Sequence, residues 1–155
     1  MIEELDDLVR KAVAKAFDTM LNIEVVAESP QSEAWNGDPC VAGSVGFIGK
    51  LTGVVYIHSS VSFARTITTR MLGIQESEID GDEMVNDVMG ELTNMVVGQI
   101  KSQLSDQGMP CVLTIPSIVR GSQFEIEAVS STTRKVSMFR CGNDRLAVET
   151  LIKPS

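Results

Sequence analysis

The sequence predicts an α+β domain, an antiparallel sheet with its helices packed on one side, and three observations carry that expectation. Apolar residues recur at the helical period of about 3.6 residues in a segment at the start of the chain and in a longer one past its middle. Segments in the last third alternate apolar and polar residues, the period of a half-buried strand. The elements run helix, strands, two helices, strands, which groups like with like instead of alternating them as a parallel α/β fold does. With 155 residues the chain suffices for one domain, expected over 1–155, whose core needs no disulfide or metal.

The first helix is expected over Ile2 to Leu21. Leu5, Leu8, Val9, Ala12, Val13, Ala16, Phe17 and Met20 share one face, and Glu3, Glu4, Asp6 and Asp7 fill the opening turns, where the helix dipole favours anions. A strand over Ile23–Ala27 follows. Glu28 to Pro39 is rich in Pro, Ser, Asn and Gly and reads as a loop, with Trp35 either a plug over the core or an exposed contact. Cys40–Ile48 and Leu51–His58 form a hairpin around Gly49-Lys50. Ser60 is placed to cap a helix from Val61 to Leu72, which Gly73 stops. Asp80, with Glu83 three residues on, resembles a capping box opening the next helix, which runs to about Asp106 before Gly108 and Pro110. Strands are then expected over Val112–Ile115, Ser117–Arg120, Phe124–Val129, Arg134–Arg140 and Leu146–Ile152, with turns at Gly121-Ser122 and Gly142-Asn143-Asp144.

Composition removes several classes of function. A net charge of −8 argues against a nucleic-acid binder, because phosphate backbones demand clustered Lys and Arg. No apolar run nears the roughly 18 residues of a membrane span. The start, Met1-Ile2-Glu3-Glu4, has neither the basic residues nor the apolar stretch of a signal peptide, so a cytoplasmic location is expected. Cys40, Cys111 and Cys141 are odd in number and far apart, which fits buried thiols better than disulfides or metal ligands. His58 is the sole histidine and closes an apolar strand beside Ser59 and Ser60. A hydrolase built there needs a third, orienting residue, and the sequence points to none.

The long helix makes the most specific chemical offer. Projected at 100° per residue, Val85, Val88, Met89, Leu92, Val96, Ile100 and Gln103 fall on one side, widened by Val97 and Leu104. The opposite strip carries Asp87, Glu91, Asn94, Gly98, Lys101, Ser102 and Ser105. Glu91 and Asn94 are at i and i+3, so their Cβ atoms lie roughly 5–6 Å apart and the pair can reach together into a site on another molecule. Gly90 and Gly98 bracket it, each costing the helix about 1 kcal/mol relative to Ala. Either glycine suits tight packing within the domain or close approach by another chain.

Gly90-Glu91-Leu92-Thr93-Asn94-Met95, with Gly98 following, resembles the E-x-x-N signature helix of the CheC/CheX/FliY phosphatases of bacterial chemotaxis. Gly53-Val54-Val55-Tyr56-Ile57 with Ser59-Ser60 is similar to the strand that leads into a short helix in that family, and Pro116-Ser117-Ile118-Val119-Arg120-Gly121 to the turn and strand after the signature helix. CheC-like members carry the signature twice; the single copy here resembles the CheX branch, for which one site per subunit and a homodimer are implied. The alternating strands from Arg134 to Ile152 offer an edge for such pairing.

The resemblance further implies a CheC-like/CheX-like fold and dephosphorylation of the phospho-aspartate of a CheY-like response regulator. Asn94 would orient the attacking water, and Glu91 would pair with the lysine that family regulators keep beside the phosphorylated residue. Asp87, Gly90, Gly98 and Lys101 would form the surrounding partner-binding surface. No cofactor of its own is implied, the Mg²⁺ belonging to the regulator. The alternative on the same architecture is a non-catalytic docking or structural module of a flagellar or chemotaxis complex, which would lack the Glu91–Asn94 pair.

Overall fold

Helices and strands separate into two layers in the computed structural model, which describes residues 2–28, 39–122 and 132–154. The opening helix, α1 (Ile2–Ala16), continues into a single π turn over Phe17–Leu21, so its total span is the expected one. Leu8, Val9, Ala12, Val13, Ala16 and Phe17 are buried as their spacing requires. Met20 is the exception at 45% exposure: a π turn adds a residue per turn and rotates it off the apolar stripe. The first strand, β1, spans Val26–Glu28, displaced from the expected Ile23–Ala27.

The hairpin forms as its alternation requires. Strands β2 (Cys40–Gly49) and β3 (Leu51–Ser60) pair antiparallel about Lys50, from Phe47 opposite Gly53 to Cys40 opposite Ser60. Ser60 then caps α2 (Val61–Leu72), its hydroxyl accepting the Phe63 N–H at 3.0 Å, and Gly73 ends the helix in the left-handed conformation with φ 64°. The long helix, α3 (Asp82–Asp106), has the expected length, but the capping box proposed at Asp80 and Glu83 does not form. Gly81 occupies the cap position without a side-chain bond, while Asp82 and Glu83 complement the dipole of the first turn. The reciprocal bond forms one turn earlier, where the Glu78 carboxylate accepts the Gln75 N–H at 3.0 Å.

Strands β4 (Cys111–Leu113), β5 (Ser117–Gly121), β6 (Thr133–Cys141) and β7 (Asp144–Pro154) complete the described elements. The expected strand at Phe124–Val129 and Trp35 lie outside the described residues. The sheet is antiparallel in the order β1-β6-β7-β3-β2-β4, with β5 beside β4 on the same flank of β2. β7 therefore lies inside the sheet, paired on both sides, and β1 covers β6 from Met138 to Arg140. The edge expected along Arg134–Ile152 does not exist at β7, because β3 takes the pairing positions that a second subunit would need.

Alternation assigns each strand residue to a face. Val41, Val45, Phe47, Val55, Ile57, Phe139, Leu146 and Val148 turn toward the helices and join their apolar faces in one core. Tyr56, His58, Arg134 and Glu149 occupy the outer face. This is the α+β architecture expected from the sequence, and it places α3 across β2.

Candidate functional site

Three contacts set the register of α3 beside its apolar packing. Under its middle, Gly43 of β2 faces Thr93 and Met89: a Cβ at Gly43 would collide with Thr93 Oγ1 and stand 3.1 Å from the Met89 carbonyl oxygen. The Thr93 hydroxyl is buried but satisfied, donating to that same carbonyl at 2.7 Å. At the N-terminal turns, Arg120 of β5 donates from Nε to Asn86 Oδ1 at 2.6 Å and ion-pairs with Asp82 at 3.7 Å. Between them Pro116 lies over Gly90, where an added Cβ would touch the proline Cβ at 3.4 Å. Sequence reasoning did not single out Gly43, Asn86 or the bond to Arg120. A glycine inside a strand was the available signal for Gly43, since it often marks the close approach of another backbone.

Packing closes most of the helix. Val85, Val88, Met89, Leu92, Val96, Val97, Ile100 and Leu104 are buried, and α1, α2 and β2 lie against them. What remains is the strip read from the sequence: Asp87, Glu91 and Lys101 are exposed, while Asn94 and Gly98 are half-buried. The two glycines differ. Gly90 is covered from within the chain by Pro116, so its close approach is intramolecular, whereas a Cβ on Gly98 would meet no described residue within 4 Å. Lys101 stands near Cys111, whose thiol is pushed up by burial and drawn partly back by the lysine charge.

Among the described residues, neither the Glu91 carboxylate nor the Asn94 carboxamide is used in a hydrogen bond or ion pair within the chain. A carboxamide both donates and accepts, so Asn94 can fix the orientation of a water molecule without acting as a strong base. Glu91, one turn away and exposed, can accept from a cation on a partner. Among the described residues no three His, Cys, Asp or Glu side chains gather at one point.

His58 belongs to a different arrangement. Its Nε2 lies 3.0 Å from Glu149 Oε1, and its ring stacks on Tyr56 at 6.1 Å between centroids. The third, orienting residue that the sequence did not reveal is thus Glu149. The hydrolase reading fails on the hydroxyls: Ser59 donates to the Ser60 carbonyl at 2.9 Å, and Ser60 is committed to capping α2. All three cysteines are buried thiols outside any disulfide. Burial first, then the carboxylates of Asp144 and Glu28, push Cys141 up to about 12 and keep it protonated.

An antiparallel sheet with one helical layer is the fold of CheC-like and CheX-like proteins. The chain is similar to the crystal structure of chemotaxis protein CheX from Vibrio vulnificus, with TM-score 0.83 and 24% identity over 97% of both chains. It is also similar to the CheX–CheY–BeF3–Mg²⁺ complex from Borrelia burgdorferi, with TM-score 0.75 and 19% identity over 95% of this chain and 96% of that one. At these identities the two comparisons speak for the fold. A curated relative, the CheY-P phosphatase CheX of Thermotoga maritima, is 27% identical over 85 residues, a stretch that spans 54% of each protein and so about half of the relative's length. The family model Chemotaxis phosphatase CheX matches residues 41–140, well over half of the chain and all of α3. The chain belongs to the CheX family.

Proposed function

We propose that this chain is a phosphatase acting on the phospho-aspartate of a CheY-like response regulator. The observation that carries the reading is the pair on α3, with Glu91 exposed and Asn94 half-buried, both without a partner among the described residues, in a member of the CheX family. The curated Thermotoga relative is a CheY-P phosphatase, and the Borrelia relative was solved with CheY, BeF3 and Mg²⁺, which supports both the substrate and the partner.

Phosphoryl transfer is largely a matter of positioning and charge stabilisation. An acyl phosphate is already a reactive electrophile, and the regulator's own Mg²⁺ neutralises its oxygens. What the reaction lacks is a water held in line with phosphorus. Asn94 supplies that orientation, with its backbone held by the contact of Thr93 on Gly43 beneath it. Glu91 pairs with the regulator lysine and fixes the approach, so that the carboxamide reaches the water at the correct angle.

Binding tests the reading. Calorimetric titration of the regulator should show at least about tenfold tighter binding when Mg²⁺ and beryllofluoride fill its phosphorylation site, a difference of about 1.4 kcal/mol. Equal affinity for both states, with no phosphate release, would favour a docking module and remove the enzyme.

A further inference from the structure

The edge of the sheet between β4 and β5 is irregular at a place that bears on Asn94. Leu113 stands opposite Phe47, and Ser117 stands opposite Ser44. Thr114 takes Gly46: its N–H donates to the Gly46 carbonyl at 2.9 Å, and its hydroxyl accepts the Gly46 N–H at 2.8 Å. Ile115 and Pro116 are left together opposite Val45, one residue more than β2 supplies. That is a β-bulge, which re-aims side chains and accommodates a proline that has no N–H to give.

The bulge is aimed along α3. β5 runs back beside the helix, with Arg120 at Asp82 and Asn86 and Pro116 at Gly90. Asp82, Asn86, Gly90 and Asn94 are spaced four apart and form one row on the helix surface. One residue beyond Pro116 along the chain is Ile115, and one turn beyond Gly90 along the helix is Asn94. Ile115 is 84% exposed, the highest value for a large apolar side chain among the described residues.

Single exposed apolar residues are ordinary and by themselves mean nothing. Ile115 differs because both neighbours are fixed, Thr114 to Gly46 and Pro116 onto Gly90, one helical turn before Asn94, so the exposed side chain stands on a stiff base. The ordering cost of such a residue is met on folding, which favours its use as a binding anchor. Ile48 and Val112 are also exposed, but they pair on the sheet face turned away from α3.

We propose that Ile115 is a docking anchor for the phosphorylated receiver domain, its apolar side chain buried against that partner when the complex forms. The proposal rests on the phosphatase reading above. Its test uses the CheY-like receiver that the wild-type protein dephosphorylates fastest, charged with acetyl phosphate and Mg²⁺, and follows phosphate release for Ile115→Glu, Ile115→Ser and Ile115→Leu. The Glu and Ser variants should raise KM about tenfold or more while kcat stays within about twofold, and Leu should remain near wild type. All three should melt with the wild type, because the side chain is exposed. An unchanged KM in both polar variants, or early melting of either, would overturn the anchor while leaving the phosphatase intact. A wild-type protein that accelerates release from no receiver would instead remove the phosphatase reading, and the anchor with it.

Discussion

Glu149 and Glu91 are glutamates of one chain in opposite circumstances. Glu149 lies on the outer face of the sheet with 5% of its side chain exposed, between His58 and Arg134, both of which it bonds. Burial works to raise its carboxyl, but the hydrogen bonds and charges of His58 and Arg134 outweigh it and hold the group below the usual carboxylate range. Glu91 stands exposed on α3, and no described residue answers it. A carboxylate with all its partners at home contributes to the fold and has nothing left to offer another molecule. One with none, on a helix pinned from below by Gly43, costs the fold little and keeps its hydrogen-bonding capacity for a partner.

That contrast makes the sheet face the place where substitution should hurt stability most. Glu149→Ala removes the carboxylate that bonds both His58 and Arg134 and should cost about 2–4 kcal/mol, nearer the lower figure because half of Arg134 is in water. Chemical denaturation measures it, and kcat of the folded protein should be unaffected. The acid dependence carries a definite sign. A carboxyl depressed on folding gives stability that is complete above its unfolded value of about 4.3 and is lost as pH falls through the folded value. The stability gap between wild type and Glu149→Gln should therefore narrow as pH drops below about 4.

Gly43 joins the two regions and should feel both kinds of effect. Gly43→Ala forces a methyl group into Thr93 and Met89, at a cost of about 1–3 kcal/mol, and lifts the turn carrying Asn94. Turnover should fall along with stability. A variant that melts early but turns over normally would show that α3 need not be held this tightly.

Glu91→Lys should be nearly silent in denaturation, within about 0.5 kcal/mol, since the side chain is exposed and makes no bond to a described residue. Its effect should fall on binding, with KM raised sharply and kcat lowered less, if the proposed pairing of Glu91 with a regulator lysine is correct. An unchanged KM would remove the anchoring role of Glu91.

The two regions were also unequally legible. The α3 strip could be read from periodicity, because buried and exposed positions on one continuous helix are local information; the aliphatic positions from Val85 to Leu104 are buried where the period put them, but Gln103, expected on that face, is only half-buried, and Gly90 and Thr93 are buried by tertiary packing the period does not show. The caps of α2 were legible for the same reason, Ser60 and Gly73 each acting within one turn. The Glu149 cluster was not, since its bond to His58 joins residues 91 apart in sequence and no local pattern announces it. Gly43 under Thr93 and Arg120 against Asn86 are tertiary in the same sense. β1 is three residues long, too short to show a period, and its position is set by pairing with β6.

The central claim is that Asn94 works for a partner and not for the fold. Single-turnover phosphate release from the phosphorylated regulator, run on Asn94→Ala beside its denaturation curve, tests this directly. Loss of acceleration on the order of 100-fold or more is expected, as when one oriented hydrogen-bonding group is removed from a reacting centre, with stability within about 1 kcal/mol of wild type. Near wild-type turnover, or a fold that collapses with the substitution, would contradict it.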